Sequence, residues 1–417
     1  TGEKTPLLPG DDGAVKVSYD DGEFSLDGKG LYVTTDRDSE FLRLAYIDLA
    51  SKRFTYLTNP IKWDVEQFAL SPDRKIVAFV TNENGISRLH LLDTKTQREK
   101  PAPKLPVGVI SGIRWRADGA DLGFVFESAR SPADVYSLNV RGGKVERWTF
   151  SETGSVNTEQ FAEPELVSWK SFDGRMISGF LYRPPARFTG KRPVIIDIHG
   201  GPELQARPGF LGGRDNYFLN ELGVALIFPN VRGSTGYGKT FLTLDNGLLR
   251  EGAYEDIGAL LDWIKTRSDL DANRLMVSGV SYGAGVTLAV AARYNDLIRC
   301  SWAGAPTSNI FTLLRGRPDR RPEYGDEREP NMRAFFEGIA PLNNARNITK
   351  PLFILTGKND PNTPPSESEQ MLKAVKKNGT PVWYMMANDE GHGYVKKKNL
   401  DFATYATILF VRRYLLG

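Results

Sequence analysis

A short pattern recurs three times in the first 150 residues, and its spacing limits what this part of the chain can fold into. Phe24-Ser25-Leu26-Asp27-Gly28 returns 44 residues later as Phe68-Ala69-Leu70-Ser71-Pro72-Asp73, and 45 residues after that as Ile113-Arg114-Trp115-Arg116-Ala117-Asp118-Gly119. Each copy is followed by an apolar run (31–33, 76–80 and 122–126), an alternating run (44–49, 89–92 and 135–140), then a turn and a short final strand. Four short strands in about 40–45 residues are the signature of a β-propeller blade. About three blades, a partial β-propeller, are therefore expected within residues 1–155. Residues 1–8 (TGEKTPLL) read like 51–57 (SKRFTYL), which close the first full unit, so the chain is expected to begin inside a blade. Propellers close with about four to eight blades, and three would leave open sheet edges. The expected cover is the rest of a longer propeller or a second copy of the chain, a homo-oligomer.

Residues 151–164 (SETGSVNTEQFAEP) are polar and keep neither period, which places the domain junction there and a second domain over 156–417. Beyond it, short apolar runs at 193–198, 224–229, 275–278, 300–303, 352–356 and 382–386 read as strands of a buried parallel sheet. Helical stretches are expected at about 254–266, 282–294, 366–377 and 401–415. This order is that of an α/β domain, whose ligands bind at the C-terminal ends of the strands.

Composition narrows the partners. Lys plus Arg (54) nearly balance Asp plus Glu (51), and no basic block is long enough to suggest a nucleic-acid or membrane surface. The single cysteine, Cys300, cannot form an internal disulfide. That leaves both a cytoplasmic and a periplasmic or secreted location open. No apolar run reaches the ~18 residues of a membrane span. The chain starts at Thr1 with neither Met nor a signal-like segment, so a processed or truncated start is expected.

Chemistry is concentrated in the second half. Gly279-Val280-Ser281-Tyr282-Gly283 is a G-x-S-x-G elbow between the apolar run 275–277 and the small-residue stretch 284–292. A serine hydroxyl becomes a useful nucleophile when a tight turn presents it, a base takes its proton and N–H groups stabilise the oxyanion. The base and its orienting acid should follow in the order Ser, acid, His. Of three histidines, His392 sits in Asp389-Glu390-Gly391-His392-Gly393 directly after a strand. His90 lies inside an alternating strand and reads as structural, and His199 precedes the serine. Asp360, in Gly357-Lys358-Asn359-Asp360-Pro361, follows the strand at 352–356 and is the expected acid, preferred over Asp389 and Glu390 beside the histidine. Tyr282 offers one oxyanion N–H, and Gly200 or Gly201 of His199-Gly200-Gly201-Pro202 the other. The loop 230–238 (NVRGSTGYG) is Gly-rich but has neither G-x-G-x-x-G nor a Walker lysine, so it is not a phosphate site, and Arg232 reads as a loop anchor. No metal or organic cofactor is called for.

With GVSYG, HGGP, NVRGSTGYG, NDP and DEGHG in this arrangement behind propeller-like repeats, the chain resembles the prolyl oligopeptidase family of serine peptidases over nearly its whole length. Within it, the chain is most similar to bacterial acylaminoacyl-peptidase and dipeptidyl-peptidase-like members. The resemblance implies an α/β-hydrolase domain capped by a propeller that restricts access to short peptides. It makes Ser281 the nucleophile, Asp360 the orienting acid, His392 the general base, and the Gly201 and Tyr282 N–H groups the oxyanion hole. Two departures stand out. Ala284 replaces a usual second glycine, and Asn362 stands where many members have an arginine that binds the peptide carbonyl; Asn362 is accordingly the candidate substrate contact, with Arg320 and Arg321 weighed as replacements. Trp302, Phe311, Tyr324, Phe335 and Phe336 are candidate walls for the specificity pocket, or core. An esterase using the same triad and a non-catalytic binding protein on the same fold are the alternatives.

Overall fold

The computed structural model describes residues 7–8, 17–154 and 156–417, so most of the 1–8 segment likened to a blade's final strand, and one residue of the junction, lie outside the described residues. The chain divides into two compact units, one of Thr1–Phe161 with Arg207–Phe210 and Gly236–Thr240, the other of the remainder.

Among its described residues the first unit contains three four-stranded antiparallel sheets, ordered as in the sequence: β1 (Tyr19–Phe24) to β4 (Phe54–Tyr56), β5 (Asp64–Leu70) to β8 (Glu99–Lys100), and β9 (Val109–Trp115) to β12 (Val145–Arg147). The recurring motif is the end of each first strand plus its turn. Asp27 Oδ1 accepts from Ser25 Oγ at 2.7 Å and Lys29 N at 3.1 Å, and Asp73 Oδ1 from Ser71 Oγ at 2.8 Å and Lys75 N at 3.2 Å. Asp118 Oδ1 likewise accepts from Ala120 N at 3.0 Å. The aspartate thus recurs because it satisfies the backbone of a tight turn. Between the sheets, Phe68, Leu70, Val77 and Phe79 pack with Tyr32 and Leu44, while Ala78, Val80 and Leu91 pack with Leu122, Phe124 and Phe126. Trp115 Nε1 donates to Ala69 O at 2.9 Å. Within this unit Arg207 is held by Glu66 at 2.8 and 3.0 Å, by Gly85 O at 2.9 Å and by Ser87 Oγ at 3.0 Å.

The second unit is built on one eight-stranded sheet, in the order β13-β14-β16-β15-β17-β18-β19-β20. The strands β15 (Arg192–Ile198), β16 (Ala225–Asn230), β17 (Leu270–Val280), β18 (Cys300–Gly304), β19 (Leu352–Gly357) and β20 (Val382–Ala387) run parallel. Their near-continuous burial, complete in β18, reflects a sheet covered on both faces. The hairpin β13 (Glu165–Lys170) and β14 (Met176–Tyr182) adds two antiparallel strands that the search for apolar runs passed over. On β13 only Val167 and Trp169 are buried, and such half-exposed alternation is weak in the sequence. Helices Glu251–Lys265, Tyr282–Arg293, Pro365–Lys376 and Lys397–Tyr414 fall on the expected stretches, and Gly213–Asn220, Ile310–Gly316 and Pro330–Ile339 are additional. The core joins Ile196, Ile227, Val277, Ala303 and Ile354 of the strands to Ile257, Leu261, Leu288 and Met371 of the helices.

Candidate active site

The parallel strands deliver the candidate residues to one edge. β17 ends at Val280 and turns at Ser281 into the helix Tyr282–Arg293, β15 leads into His199, β19 into Asp360, and β20 into His392. The turn is strained: Ser281 has φ 59° and ψ −121°, a region that non-glycine residues avoid. Its flanking glycines follow from contact. A Cβ on Gly279 would lie 2.5 Å from Gly283 C and 2.7 Å from Ile198 O, and one on Gly283 would overlap Ile198 O. Ser281 N donates to Gly304 O at 2.8 Å, which ties the elbow to the end of β18. Ala284, where a glycine was expected, is fully buried in the core.

Asp360 and His392 meet. Asp360 Oδ2 and Oδ1 lie 2.8 and 3.0 Å from His392 Nδ1. A carboxylate accepts, so Nδ1 carries the proton, and in the neutral ring Nε2 is left as the basic atom. The carboxylate also accepts from Asn362 N at 2.8 Å, Thr363 N at 2.9 Å and Thr363 Oγ1 at 2.8 Å. Burial by itself would raise its pKa; the bonds from His392, Thr363 and Asn362 outweigh that and hold it below the usual carboxylate range. The two loops are in close contact, since a Cβ on Gly357 would come within 2.7 Å of Glu390 O, and Asn359 N donates to Glu390 O at 2.9 Å. The neighbouring acids are engaged elsewhere. Asp389 pairs with Lys396 at 2.8 Å, and Glu390 accepts from Lys396 N at 3.0 Å and Asn399 Nδ2 at 2.8 Å.

The HGGP turn lies beside the elbow: a Cβ on Gly200 would stand 3.6 Å from Ser281 Cβ. Gly201 has φ 120°, and a Cβ there would sit 2.6 Å from Glu203 N, so the turn demands glycine. Its N–H has no backbone acceptor among the described residues. Tyr282 is the first residue of its helix, where an N–H has no intrahelical partner.

His199 is occupied. Nδ1 donates to Gly200 O at 2.7 Å, Nε2 lies 2.8 Å from Ser234 Oγ, and burial pushes its pKa below the ordinary histidine value. His90 is stacked on Phe79 at 4.7 Å, with Thr81 Oγ1 3.0 Å from its Nε2. Arg232 is a loop anchor: its Nη2 and Nε bind Asp256 at 2.8 and 3.0 Å, and its N donates to Asp256 Oδ2 at 2.9 Å.

Asn362 is not alone. Arg317 Nη1 donates to its Oδ1 at 2.9 Å, while Nη2 of the same guanidinium pairs with Asp319 at 2.9 Å. Arg320 and Arg321 instead pair with Glu323 and Glu327, at 3.1 and 2.6 Å. Arg317 lies 45 positions before Asn362, and no local signal in the sequence joins them. Of the candidate wall residues, Tyr324 and Phe336 are buried in a cluster with Leu313 and Met332, and Phe311 and Phe335 pack against it. Trp302 alone lines the cavity that also holds His392.

An α/β-hydrolase fold with a strained serine elbow, preceded by four-stranded sheets, defines the class of the protein. Residues 213–416 match the model of the prolyl oligopeptidase family, and the chain carries a domain of that family. It is 27% identical over 398 residues to dipeptidyl aminopeptidase BIII of Pseudoxanthomonas mexicana, covering 91% of this chain and 57% of that one. It is 30% identical over 352 residues to dipeptidyl peptidase family member 6 of Caenorhabditis elegans, covering 77% of this chain and 46% of that one. The chain therefore spans about half the length of these relatives. The crystal structure of a puromycin hydrolase shares the fold with a TM-score of 0.83 at 24% identity, covering 95% of this chain and 61% of that one.

Proposed function

We propose that this protein is a serine peptidase that hydrolyses short peptides through an acyl-enzyme on Ser281. His392 Nε2 takes the Ser281 Oγ proton as the oxygen attacks the peptide carbonyl. Asp360 keeps Nδ1 protonated and the ring oriented, and the N–H groups of Gly201 and Tyr282 receive the oxyanion. The C–N bond then breaks as His392 returns the proton to the leaving amine. A water molecule, deprotonated by the same ring, releases the acyl group. The observation that carries this reading is the Asp360 contact with His392 Nδ1 at 2.8 Å, made at the same sheet edge as the strained Ser281 elbow. The peptidase names of the relatives at 27% and 30% identity favour peptides over simple esters. Residues 1–155 would be the part of a propeller cap that this chain carries, and 156–417 the catalytic domain. Asn362, held by Arg317, would bind a substrate carbonyl.

The test is labelling with a fluorophosphonate probe, together with turnover of a blocked peptide amide and of a nitrophenyl ester. Labelling and amide cleavage that both vanish in Ser281→Ala are expected. Turnover surviving in that variant overturns the assignment, and cleavage of the ester alone would make the protein an esterase.

A further inference from the structure

His392 stands in the middle of a nine-residue connection, 388–396, between β20 and the helix Lys397–Tyr414. Gly391 and Gly393 flank it, and a Cβ on Gly393 would meet nothing within 4 Å. Glycines that packing does not demand leave the backbone on both sides of the histidine with wide conformational freedom. Residues 391 to 394 make no backbone–backbone hydrogen bond among the described residues. Yet the ring is held 2.8 Å from Asp360 Oδ2, so its place is imposed from further out in the loop.

Two side chains do this, each two residues from His392 and each reaching in the opposite direction. Glu390, 2% exposed and tied to the acid's loop through Asn359 N, reaches forward to the start of the helix. Its carboxylate accepts from Lys396 N at 3.0 Å, Val395 N at 3.3 Å and Asn399 Nδ2 at 2.8 Å. Tyr394 reaches back to the sheet, where its hydroxyl accepts from Ala387 N at 3.0 Å and donates to Thr356 O at 2.8 Å. Ala387 ends β20 and Thr356 belongs to β19, so one oxygen bridges the two strands that deliver the base and its acid. A hydroxyl suits that place because it accepts and donates at once. Burial pushes the phenol's pKa up to about 12, so the proton it donates stays on through neutral and mildly alkaline pH.

We propose that Tyr394 and Glu390 are positioning residues for His392, whose crossed ties close the loop and hold the imidazole against Asp360. The inference rests on the serine-peptidase reading, in which His392 is the base. Neither side chain is asked to touch substrate. With a tie cut, the glycine-flanked histidine leaves Asp360 for part of the time and Nε2 is misdirected. A displacement of about 1 Å in such a group can cost about 100-fold in rate.

Tyr394→Phe removes one oxygen and keeps the ring. For a blocked peptide amide, kcat should fall about 10- to 100-fold with KM within about twofold, and fluorophosphonate labelling should slow with kcat. Glu390→Gln, which gives up one acceptor, should show the same pattern with a loss of about 3- to 10-fold. Tyr384→Phe is the control: it removes a β20 hydroxyl that contacts Met386 Sδ at 3.6 Å, and kcat should stay unchanged. A merely structural role would lower the rate alike in every background. In Asp360→Asn, where the ring has lost the carboxylate it is held against, Tyr394→Phe should therefore cost no more than about 3-fold further. The His392 Nδ1 proton, in its bond to Asp360, gives a second reading as a downfield proton resonance that is sharp in the unmodified protein and broadened by exchange in Tyr394→Phe. A kcat loss below about twofold in both loop variants, an equal loss in the Asp360→Asn background, or an unchanged resonance overturns the assignment. An unmodified protein that is neither labelled nor active would instead refute the serine-peptidase reading, and the Nδ1 resonance would still report whether Tyr394 holds the ring.

Discussion

His199 and His392 stand on loops at the same edge of the same sheet, yet their surroundings prepare them for different work. Both Nδ1 atoms carry a proton, donated by His199 to Gly200 O and by His392 to the Asp360 carboxylate. The difference lies at Nε2. In His199 that atom is 2.8 Å from Ser234 Oγ, and the hydroxyl itself reaches Val231 O at 2.6 Å, so the ring is locked between two loops. In His392, Nε2 has no hydrogen-bond partner among the described residues, and 27% of the side chain is exposed. A ring with both nitrogens committed holds backbone in place; one with a free acceptor and an ionised carboxylate behind it can accept a proton.

The comparison is broken most directly by exchanging losses between the two rings. His392→Ala should lower kcat about 10⁴-fold or more while leaving thermal unfolding nearly unchanged. His199→Ala should do the reverse, with a measurable fall in melting temperature and a far smaller loss of rate. Equal kinetic losses in the two variants would erase the distinction. Asp360→Asn keeps the shape but permits the wrong tautomer, and a fall in kcat of about 10³- to 10⁴-fold is expected from steady-state kinetics. Because the Asp360 pKa is depressed, its contribution to folding is complete above the ordinary carboxylate pKa and is lost as pH falls through the lower folded value. Acid unfolding of Asp360→Asn should therefore be less steep.

The His199 side is sharpened by the loop that supplies Ser234. Asp256→Ala would leave Arg232, which is 5% exposed, with only its longer contacts to Asp173 at 3.3 and 3.4 Å, and leave Ser171 Oγ, now 2.6 Å from Asp256 Oδ1, without its partner. Breaking such a buried pair costs about 3–5 kcal/mol, measurable by urea unfolding. Asp197, two residues before His199, is a milder probe. Burial, followed by the opposing effects of Arg214 and Asp215, raises its pKa to about 6. The folded protein thus holds that proton more tightly than the unfolded chain, and stability falls as pH rises from the ordinary carboxylate value through about 6. Asp197→Asn should remove this slope, a relative gain of about 1–3 kcal/mol at pH 8 against pH 4 in denaturant melts. An unchanged slope would show that Arg214 keeps Asp197 ionised. The smallest effect is expected at Asn362→Ala, about a 3- to 10-fold loss in kcat/KM from one hydrogen bond. If Arg317→Ala matches it and the double variant adds nothing more, the two act as one unit.

The Ser281 elbow is local, because the two glycines, the serine and the flanking strand and helix occupy one stretch of chain. The strands ahead of Asp360 and His392 are continuous apolar runs, so each residue could be placed at a strand end, and the repeats revealed the sheets of the first unit. Neither the Arg317 bond to Asn362 nor the grouping of Trp302, Thr356 and His392 around one cavity leaves a local trace. Both depend on crossovers that carry distant segments to the same place. In the hairpin β13–β14 only Val167 and Trp169 of the first strand are buried, which leaves a weak pattern there, whereas the second strand is apolar and buried and was overlooked.

Strand and turn signals are short-range, so the sequence alone determined the fold class, most of the order of elements and the candidate serine, aspartate and histidine. Only the tertiary structure decided which nitrogen of which histidine is free, which arginine meets Asn362, and that Trp302 faces a cavity while Tyr324 and Phe336 fill a core. Those outcomes depend on strands that are neighbours in the sheet but distant in the chain, held together by packing of the whole core.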